Sequence, residues 1–335
     1  KDRDKERNRV NYGLPYQGSK NRIAKKILDV LPAAPVLYDV FCGGCAITHA
    51  AMLSGKYSRV VANDINGMIP HAFETAMAGG FRNEDRWISR DDFQRLYKTD
   101  PYVAICFSFG NNLRWYCYAR ELEPYKRALH YAIFWKDTGP WRELCPETAD
   151  ALKAAVESET DRHKRRIGAG RAIVTALKAG LMNGTIDPAV MNKPIYRKNR
   201  KEKTSGLRIQ SPESVERLGR LESLGRLERI TGMDVPPCAP ALNVTTEDYK
   251  ALTFEQGGII YCDPPYKSTK GYGREFDFAG FYSWCEHQAN PVFISEYTMP
   301  EDRFVPVAAF TVTRKLNAKK SSICHEKIWR PRTQL

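Results

Sequence analysis

Four consecutive residues, Asp263-Pro264-Pro265-Tyr266, form the pattern in this sequence that points most specifically to chemistry. They follow the apolar run Gly258–Cys262, and two consecutive prolines end a strand abruptly and stiffen the backbone after it. A carboxylate and backbone carbonyls are then left at the carboxyl edge of a sheet, beside an aromatic ring. Such a set can hold a planar amine through accepted hydrogen bonds while the ring stacks on it. A purely structural turn is the weaker interpretation.

A second candidate is the Gly-rich segment F-C-G-G-C-A, residues 41–46. Glycines there would let the backbone approach a ligand closely, and the start of the following helix favours negative charge. Asp64 lies about 20 residues further on, the distance at which a nucleotide-binding βαβ unit presents an acid to ribose hydroxyls. An ordinary turn with a capping Asp is an equally open interpretation. A redox pair formed by Cys42 and Cys45 is a third, less favoured one.

These residues need strands and helices to position them. Val36–Phe41 and Arg59–Asp64 are predicted strands on either side of a predicted helix, Ala46–Leu53, which together make one parallel βαβ unit. Before them, Ser19 is a predicted helix N-cap. Late in the chain, we predict strands over Gly258–Cys262 and Pro291–Tyr297 and a terminal hairpin formed by Phe304–Arg314 and Ser321–Trp329. Both ends of the chain therefore have one α/β character.

Residues 71–243 differ in composition and hold four of the six tryptophans. Within them, Lys193–Arg208 has seven Lys or Arg residues and one Glu, which predicts an exposed basic arm. Val215–Ile230 carries an apolar residue at every third position from Leu218 onward. This period predicts either a helix with some winding strain or a series of short turns.

The overall charge favours a polyanionic partner. The 335 residues include 52 Lys or Arg and 39 Asp or Glu, a net charge of +13, which favours nucleic acid over a membrane surface. A basic protein without such a partner is the alternative. No run approaches the ~18 apolar residues of a membrane helix, and the charged first residues do not form a secretory signal. Nine irregularly spaced cysteines predict neither a disulfide framework nor a closed zinc site, and indicate a reducing compartment.

Taken in order, the motifs resemble those of the DNA adenine methyltransferases of the Dam type, which transfer a methyl group from S-adenosylmethionine to the 6-amino group of adenine. The resemblance covers roughly residues 1–70 and 244–335. The motifs that carry it are Y-Q-G-S-K (16–20), D-V-F-C-G-G-C-A (39–46), A-N-D-I-N (62–66), Y-C-D-P-P-Y (261–266), V-F-I-S-E-Y (292–297) and K-K-S-S-I-C-H-E-K-I-W (319–329).

The resemblance implies an α/β fold: a Rossmann-like methyltransferase sheet, mostly parallel, with a terminal antiparallel hairpin and an inserted, mainly helical target-recognition domain. Residues 1–70 and 244–335 would bind S-adenosylmethionine and catalyse the reaction, and 71–243 would read the DNA. Cys42 and Cys45 depart from the family's usual Gly loop. The middle region does not match the recognition hairpin of GATC-specific members, so the resemblance does not imply a target sequence.

The resemblance also assigns roles to individual residues. Asp64 suits the ribose hydroxyls, the glycines suit close approach to the methionine part of the cofactor, and Lys20 suits its carboxylate. Asp263 and the carbonyl of Pro264 would accept hydrogen bonds from the adenine amine, with Tyr266 stacked on the flipped base. No metal is predicted. The cofactor-binding residues are Tyr16, Lys20, Phe41, Gly43, Gly44, Asp64 and Asp263; the catalytic residues are Asp263, Pro264, Pro265 and Tyr266; and the DNA-binding residues are Lys193, Arg197, Lys198, Arg200, Lys201 and Lys203.

Two alternatives stay open at this point. One is the same chemistry on another planar amine, such as the cytosine 4-amino group, an RNA base or a glutamine amide. Asp263 favours adenine, because related cytosine and glutamine enzymes typically carry Ser or Asn at this position. The other is a catalytically silent DNA-binding relative. We expect a monomer that acts on double-stranded DNA with a flipped adenine in the cytoplasm of a bacterial or phage-infected cell. A cognate restriction enzyme is a partner that the resemblance allows.

Overall fold

The structure is a computed structural model that describes residues 10–183, 218–235, 238–265, 276–317 and 320–335. The chain divides into two compact units: Lys1–Arg82 with Arg229–Leu335, and Asn83–Glu228. These boundaries differ from the predicted ones, which lie at residues 70 and 244. The assignment of a catalytic and a target-recognition role to the two parts stays a prediction. Both Tyr266 and the basic arm, Lys193–Arg208, lie outside the described residues.

The first unit is built on a seven-stranded sheet with the strand order β3-β2-β1-β4-β5-β7-β6. Neighbouring strands from β3 through β5 pair in parallel, whereas β7 pairs antiparallel with both β5 and β6. The predicted mostly parallel sheet with a terminal antiparallel hairpin is therefore confirmed. The strands are β1 (Ala34–Asp39), β2 (Tyr57–Asn63), β3 (Ala241–Thr245), β4 (Ile259–Cys262), β5 (Val292–Glu296), β6 (Phe304–Asn317) and β7 (Lys320–Pro331).

The central strands are buried along their length, which explains why their sequences are continuous apolar runs rather than alternating ones. Every residue of β4 and β5 is buried. Their side chains share one core cluster with residues of β1 and with an aromatic helix, Phe278–Glu286. Strands held on both faces in this way fix the positions of the loops at their carboxyl ends.

Helices and short 3-10 turns complete the first unit. The predicted N-cap Ser19 accepts a hydrogen bond from the backbone N–H of Asn21, but it caps a 3-10 turn, Lys20–Arg22, that precedes the first α-helix. The α-helices that lie wholly in this unit are α1 (Ala24–Val30), α2 (Ala46–Ser54), α3 (Met68–Met77) and α11 (Phe278–Glu286). Further 3-10 turns span Tyr249–Ala251 and Arg332–Gln334.

The described residues of the second unit are mainly helical, as predicted for the middle of the chain. Three of the helices begin at Ser or Asp side chains that accept a hydrogen bond from a backbone N–H of the first turn. The helices are α4 (Arg90–Leu96), α5 (Pro101–Phe107), α6 (Glu123–Trp135), α7 (Gly139–Leu144), α8 (Pro146–Glu157) and α9 (Arg162–Met182), followed by α10 (Glu222–Thr231), which runs across the unit boundary.

Of the segment with an apolar residue at every third position, Glu222–Ile230 lies in the α-helix α10, whereas Leu218 and Leu221 precede this helix. Leu218, Leu221, Leu224, Leu227 and Ile230 are all at most 1% exposed. Because an α-helix turns 100° per residue, Leu224, Leu227 and Ile230 fall within about 120° of one another and form one buried face of α10. The structure therefore shows a helix with one buried face, preceded by a turn.

Candidate active site

Three parallel neighbouring strands bring the predicted motifs to one edge of the sheet. Strand β1 pairs with β2 on one side and with β4 on the other, so their carboxyl ends lie together. Beyond the strands, Val40 N–H donates to the carbonyl of Tyr261 at 2.9 Å, and Cys42 N–H donates to the carbonyl of Asn63 at 2.9 Å. The Gly-rich loop after β1, Asp64 after β2 and Asp263 after β4 thus meet at this edge, where ligands of open α/β sheets bind.

The carboxylate of Asp64 holds the Gly-rich loop. Its Oδ2 accepts a hydrogen bond from the backbone N–H of Gly43 at 2.9 Å, and its Oδ1 accepts one from Asn66 N–H at 2.9 Å. Burial raises the pKa of Asp64, and these two backbone hydrogen bonds oppose the rise. Because a carboxylate has about four acceptor positions, each oxygen can also accept from a ligand hydroxyl.

The two glycines of the loop are needed because Tyr16 packs directly on them. A Cβ added to Gly44 would lie 2.4 Å from Tyr16 Cβ, and one added to Gly43 would lie 3.1 Å from Tyr16 Cε1. Gly43 also has a positive φ of 47°. The sequence attributed these glycines to the approach of a ligand, whereas in the structure Tyr16 makes the close approach.

The two loop cysteines lie together without a disulfide. Both thiols are buried and free, with 3.7 Å between the sulfur atoms of Cys42 and Cys45. Burial is the main cause that raises the pKa of both thiols. Reactive cysteine pairs need an accessible thiolate of lowered pKa, so the structure disfavours the redox interpretation of this segment.

Lys20 lies beside the predicted catalytic carboxylate. Its Nζ is 2.8 Å from Oδ1 of Asp263 and 3.8 Å from Oε1 of Glu326, and the Lys20 side chain is only 6% exposed. The sequence paired this ammonium with the carboxylate of the cofactor. In the structure this ammonium is paired with carboxylates of the protein, and Asp263 remains 20% exposed, so the contact with the cofactor stays a prediction.

Sequence reasoning missed two buried glutamates beside this pair. Glu326 on β7 is 3% exposed, and its Oε1 accepts a 2.9 Å hydrogen bond from the hydroxyl of Ser295. Glu296 on β5 is 6% exposed, and its Oε1 accepts from the backbone N–H of Tyr297 at 2.8 Å. Burial raises the pKa of Glu296 to about 7, the Tyr297 N–H opposes this rise, and nearby Asp263 and Glu326 add to it. The apolar run of β5 was a signal that could have found Glu296, whereas the mixed sequence of β7 gives no such signal for Glu326.

A third acidic group that was not predicted as a site residue is Asp39 at the end of β1. It is 1% exposed, and its Oδ2 accepts hydrogen bonds from the hydroxyl and the backbone N–H of Thr48, at 2.7 and 3.0 Å. Burial raises the pKa of Asp39 to about 7, although both hydrogen bonds oppose the rise. Asp39 therefore ties the end of β1 to the first turns of α2 and fixes the loop between them.

Two further predicted residues, Phe41 and Pro264, also lie at this edge. The ring of Phe41 packs against those of Tyr249, Phe276 and Phe281 at centroid distances of 5.4 to 5.8 Å. Pro264 is buried directly after Asp263, in the position predicted for the catalytic motif.

No group of His, Cys, Asp and Glu residues suited to a metal ion is found among the described residues. No helix in the described part of the chain could cross a membrane.

In the second unit, an aromatic loop lies between α5 and α6. Phe109 and Trp115 are 64% and 66% exposed, and the residues between them include three with positive φ, Gly110, Asn111 and Leu113. The loop is nonetheless held: the side-chain oxygen of Asn112 accepts from two backbone N–H groups, and Cys117 N–H donates to the carbonyl of Phe107.

A Gly-rich loop, an acid after the next strand and a carboxylate before two prolines meet at the carboxyl edge of a mostly parallel sheet, an arrangement consistent with a Rossmann-like methyltransferase fold. Residues 16–85 match the model of the D12 class N6 adenine-specific DNA methyltransferase family. This match confirms, over residues 16–85, the resemblance to the Dam-type family that the motifs indicate, and it supports the enzyme class, an adenine-specific DNA methyltransferase. The matched segment includes Tyr16, Lys20, the Gly-rich loop and Asp64, and it ends before Asp263. A search of curated proteins found no match.

Proposed function

We propose that this enzyme transfers a methyl group from S-adenosylmethionine to the 6-amino group of an adenine that has been flipped out of duplex DNA. The observation that carries the proposal is the meeting of two motifs at neighbouring strand ends. The Gly-rich loop with Asp64 makes a cofactor-type site, and Asp263-Pro264-Pro265 supplies acceptors for an amine beside it.

The cofactor half of the site fits the hydroxyls and the aromatic base of a nucleoside. Asp64 is half-buried and can accept from hydroxyls with the lone pairs that Gly43 and Asn66 do not use. Phe41 offers a half-buried ring beside the loop. S-adenosylmethionine, when bound, supplies the methyl group on a positively charged sulfur.

The amine half of the site follows from what an adenine amino group needs. Its lone pair is delocalised into the ring, so the nitrogen is a poor nucleophile until its hydrogens are held out of the ring plane. The carboxylate of Asp263 and the carbonyl of Pro264 accept hydrogen bonds from these two hydrogens. As the new N–C bond forms, the bond between the methyl carbon and the sulfur breaks with its electron pair left on the sulfur, and the nitrogen gives up one proton to solvent. Positioning supplies most of the rate in such a displacement. Tyr266 is the residue for stacking on the flipped base.

Two parts of the middle region are candidates for binding the DNA. The basic arm carries Lys193, Arg197, Lys198, Arg200, Lys201 and Lys203, and charge of this density favours phosphate contacts that carry affinity without sequence information. The aromatic loop presents Phe109 and Trp115 on a restrained backbone, with the exposed Arg114 between them. Exposed aromatic rings on a held loop suit stacking on unpaired bases.

The direct test is to identify the methylated nucleoside. The enzyme is incubated with duplex DNA and S-adenosylmethionine carrying a labelled methyl group, and the DNA is then digested to nucleosides and separated. We expect the label in N6-methyldeoxyadenosine. Label in N4-methyldeoxycytidine would show that the cytosine 4-amino group is methylated instead, and DNA without label would contradict the proposal. Increased fluorescence of 2-aminopurine placed at the target adenine would report base flipping.

A further inference from the structure

Four polar side chains from distant parts of the chain converge next to Asp263. They are Lys20 from the 3-10 turn before α1, Ser295 and Glu296 from β5, and Glu326 from β7. Each of the four is at most 6% exposed. Polar side chains of these types are rarely buried so completely, and burying charge is costly unless it is paired. The proposed chemistry uses Asp263, but it gives no task to Glu326 or to Ser295.

The contacts form a chain that ends at Asp263. The hydroxyl of Ser295 donates to Oε1 of Glu326 at 2.9 Å. The same Oε1 lies 3.8 Å from Nζ of Lys20, and this Nζ lies 2.8 Å from Oδ1 of Asp263. The Lys20 ammonium thus lies between two carboxylates. Glu326 lies within strand β7, and Asp263 lies at the carboxyl edge of the sheet.

This order of contacts determines which group fixes which. An ammonium is a compact charge on a flexible stem, so it orients a partner only when the ammonium is itself held. Glu326 lies on a strand that pairs with β5 and is fixed by Ser295, which is fully buried. Asp263 lies just beyond the end of β4 and is 20% exposed, more than the other residues of the contact chain. The rigid end of the contact chain is therefore Glu326, and the end that must be oriented is Asp263.

We propose that Glu326 is a positioning residue of the methyl transfer: held by Ser295, it fixes the ammonium of Lys20, which in turn orients the carboxylate of Asp263. A consequence is that Lys20 serves the amine-binding carboxylate and not the carboxylate of the cofactor. The inference rests on the proposed function, because it requires that Asp263 accept the amine.

The first test is Glu326→Gln, which keeps the size of the side chain and an oxygen for Ser295 but removes the charge that holds Lys20. We expect kcat to fall roughly tenfold or more, the scale seen when a partner that orients a reacting group is lost. The Kd for S-adenosylmethionine, measured by calorimetry, should stay within about twofold, because the residue acts on the amine side of the site. The matched control is Glu286→Gln. Glu286 is a partly buried carboxylate of the same unit, and its Oε1 accepts a 2.9 Å hydrogen bond from Nε of Arg303. The kcat of this variant should be unchanged.

The second test is a double-mutant cycle with Lys20→Met. Because Glu326 is proposed to act through Lys20, the double variant should be no slower than Lys20→Met alone, whereas independent effects would multiply. Multiplying effects, or an unchanged kcat in Glu326→Gln, would overturn the proposal. So would a Lys20→Met variant that loses affinity for S-adenosylmethionine but keeps its kcat at saturation, since that result assigns Lys20 to the cofactor.

Two further measurements keep these outcomes distinct. If circular dichroism shows that Glu326→Gln does not fold, Ser295→Ala replaces it. This variant removes the hydrogen bond from Ser295 to Glu326 without removing charge, and an unchanged kcat there would overturn the proposal. The wild type and Glu286→Gln report on the proposed function itself. If neither methylates adenine, the proposed function fails; if both do so while the Glu326 and Ser295 variants are normal, only the positioning role fails.

Discussion

The backbone N–H of Gly43 donates a 2.9 Å hydrogen bond to Oδ2 of Asp64. This bond joins the Gly-rich loop after β1 to the acid after β2, so two motifs that the sequence presents separately act as one structural part. The carboxylate shapes the loop as well as offering acceptors to a ligand. Substitutions of either residue are therefore expected to affect both the loop and the cofactor.

Asp64→Ala should weaken the binding of S-adenosylmethionine by about 1–3 kcal/mol, because it removes a charged acceptor from hydroxyl partners and releases the N–H of Gly43. Isothermal titration measures the change. Asp248→Ala is the matched control, since Asp248 also accepts from a backbone N–H, that of Lys250, in the same unit. Equal affinities of wild type and Asp64→Ala would place the ribose contact elsewhere.

Asp263→Ala should abolish methyl transfer while the protein stays folded. The carboxylate is the proposed acceptor for the amine in the transition state, and such interactions contribute several kcal/mol to catalysis. Initial rates with adenine-containing duplex DNA provide the measurement, and thermal unfolding checks the fold. A variant that keeps more than a few per cent of the wild-type rate would contradict the catalytic role.

Gly44→Ala should destabilise the protein by roughly 1–3 kcal/mol and weaken cofactor binding, because the added Cβ would lie 2.4 Å from Tyr16 Cβ and overpacking has this cost. Gly225→Ala is the control: this glycine lies in α10, and an added Cβ there meets nothing within 4 Å. Urea unfolding compares the two variants. Equal stability of the two variants would show that Tyr16 does not hold this loop closely.

Glu296 predicts a pH dependence of stability. Its pKa is raised by burial to about 7 in the folded protein, above its ordinary 4.5, so the folded state binds the proton more tightly than the unfolded state. The contribution of this residue is complete below about pH 4.5 and is lost as the pH rises through about 7. The Glu296→Gln variant cannot lose stability in this way. The difference between its free energy of unfolding and that of the wild type should therefore grow by about 2–3 kcal/mol between pH 5 and pH 8.

Urea unfolding of both proteins at several pH values measures this difference. Asp39, whose raised pKa acts in the same direction, is present in both proteins and cancels. Lys20, Asp263 and Glu326, the charged groups that face Glu296, are also present in both proteins. A difference in stability that is constant with pH would show that Glu296 titrates normally.

The two candidate DNA contacts should respond differently to salt. Replacing Lys198, Arg200 and Lys201 by Gln should weaken binding about equally on target and non-target duplexes and lower the salt slope by roughly one unit per lost contact. Trp115→Ala should weaken binding by about 1–3 kcal/mol through lost stacking, with the slope unchanged. Fluorescence anisotropy across a salt series separates the two effects.

Trp135→Ala is the control for the aromatic loop, because Trp135 is also exposed, at 48%, and lies in the same unit but outside the loop. An unchanged salt dependence of DNA binding in the triple variant would show that the basic arm does not contact the DNA phosphates. Equal affinity of the Trp115→Ala and Trp135→Ala variants for DNA would show that the aromatic loop does not contact DNA.

Much of the fold could be read from the sequence because the central strands are parallel and buried. Such strands must be apolar along their whole length, and they end where polar or turn-forming residues begin. The strand before the Gly-rich loop and the strand before Asp263 were predicted for this reason, with bounds that shift by a few residues. Asp64 and Asp263 could be chosen because the carboxyl edge of a parallel sheet is where its ligands bind.

Only the tertiary structure decided what surrounds these residues. Glu326 and Lys20 are charged side chains, which are solvent-exposed in most proteins, and no local pattern marks them as buried, while Glu296 has only the apolar run of β5 before it as a signal. The hydrogen bond between Lys20 and Asp263 joins residues 243 positions apart, and the packing of Tyr16 on Gly44 depends on a loop that precedes the sheet. A sequence determines which segments must be buried, because burial demands apolar side chains. Which buried charges meet depends on how those segments pack, and that packing exists only in the folded chain.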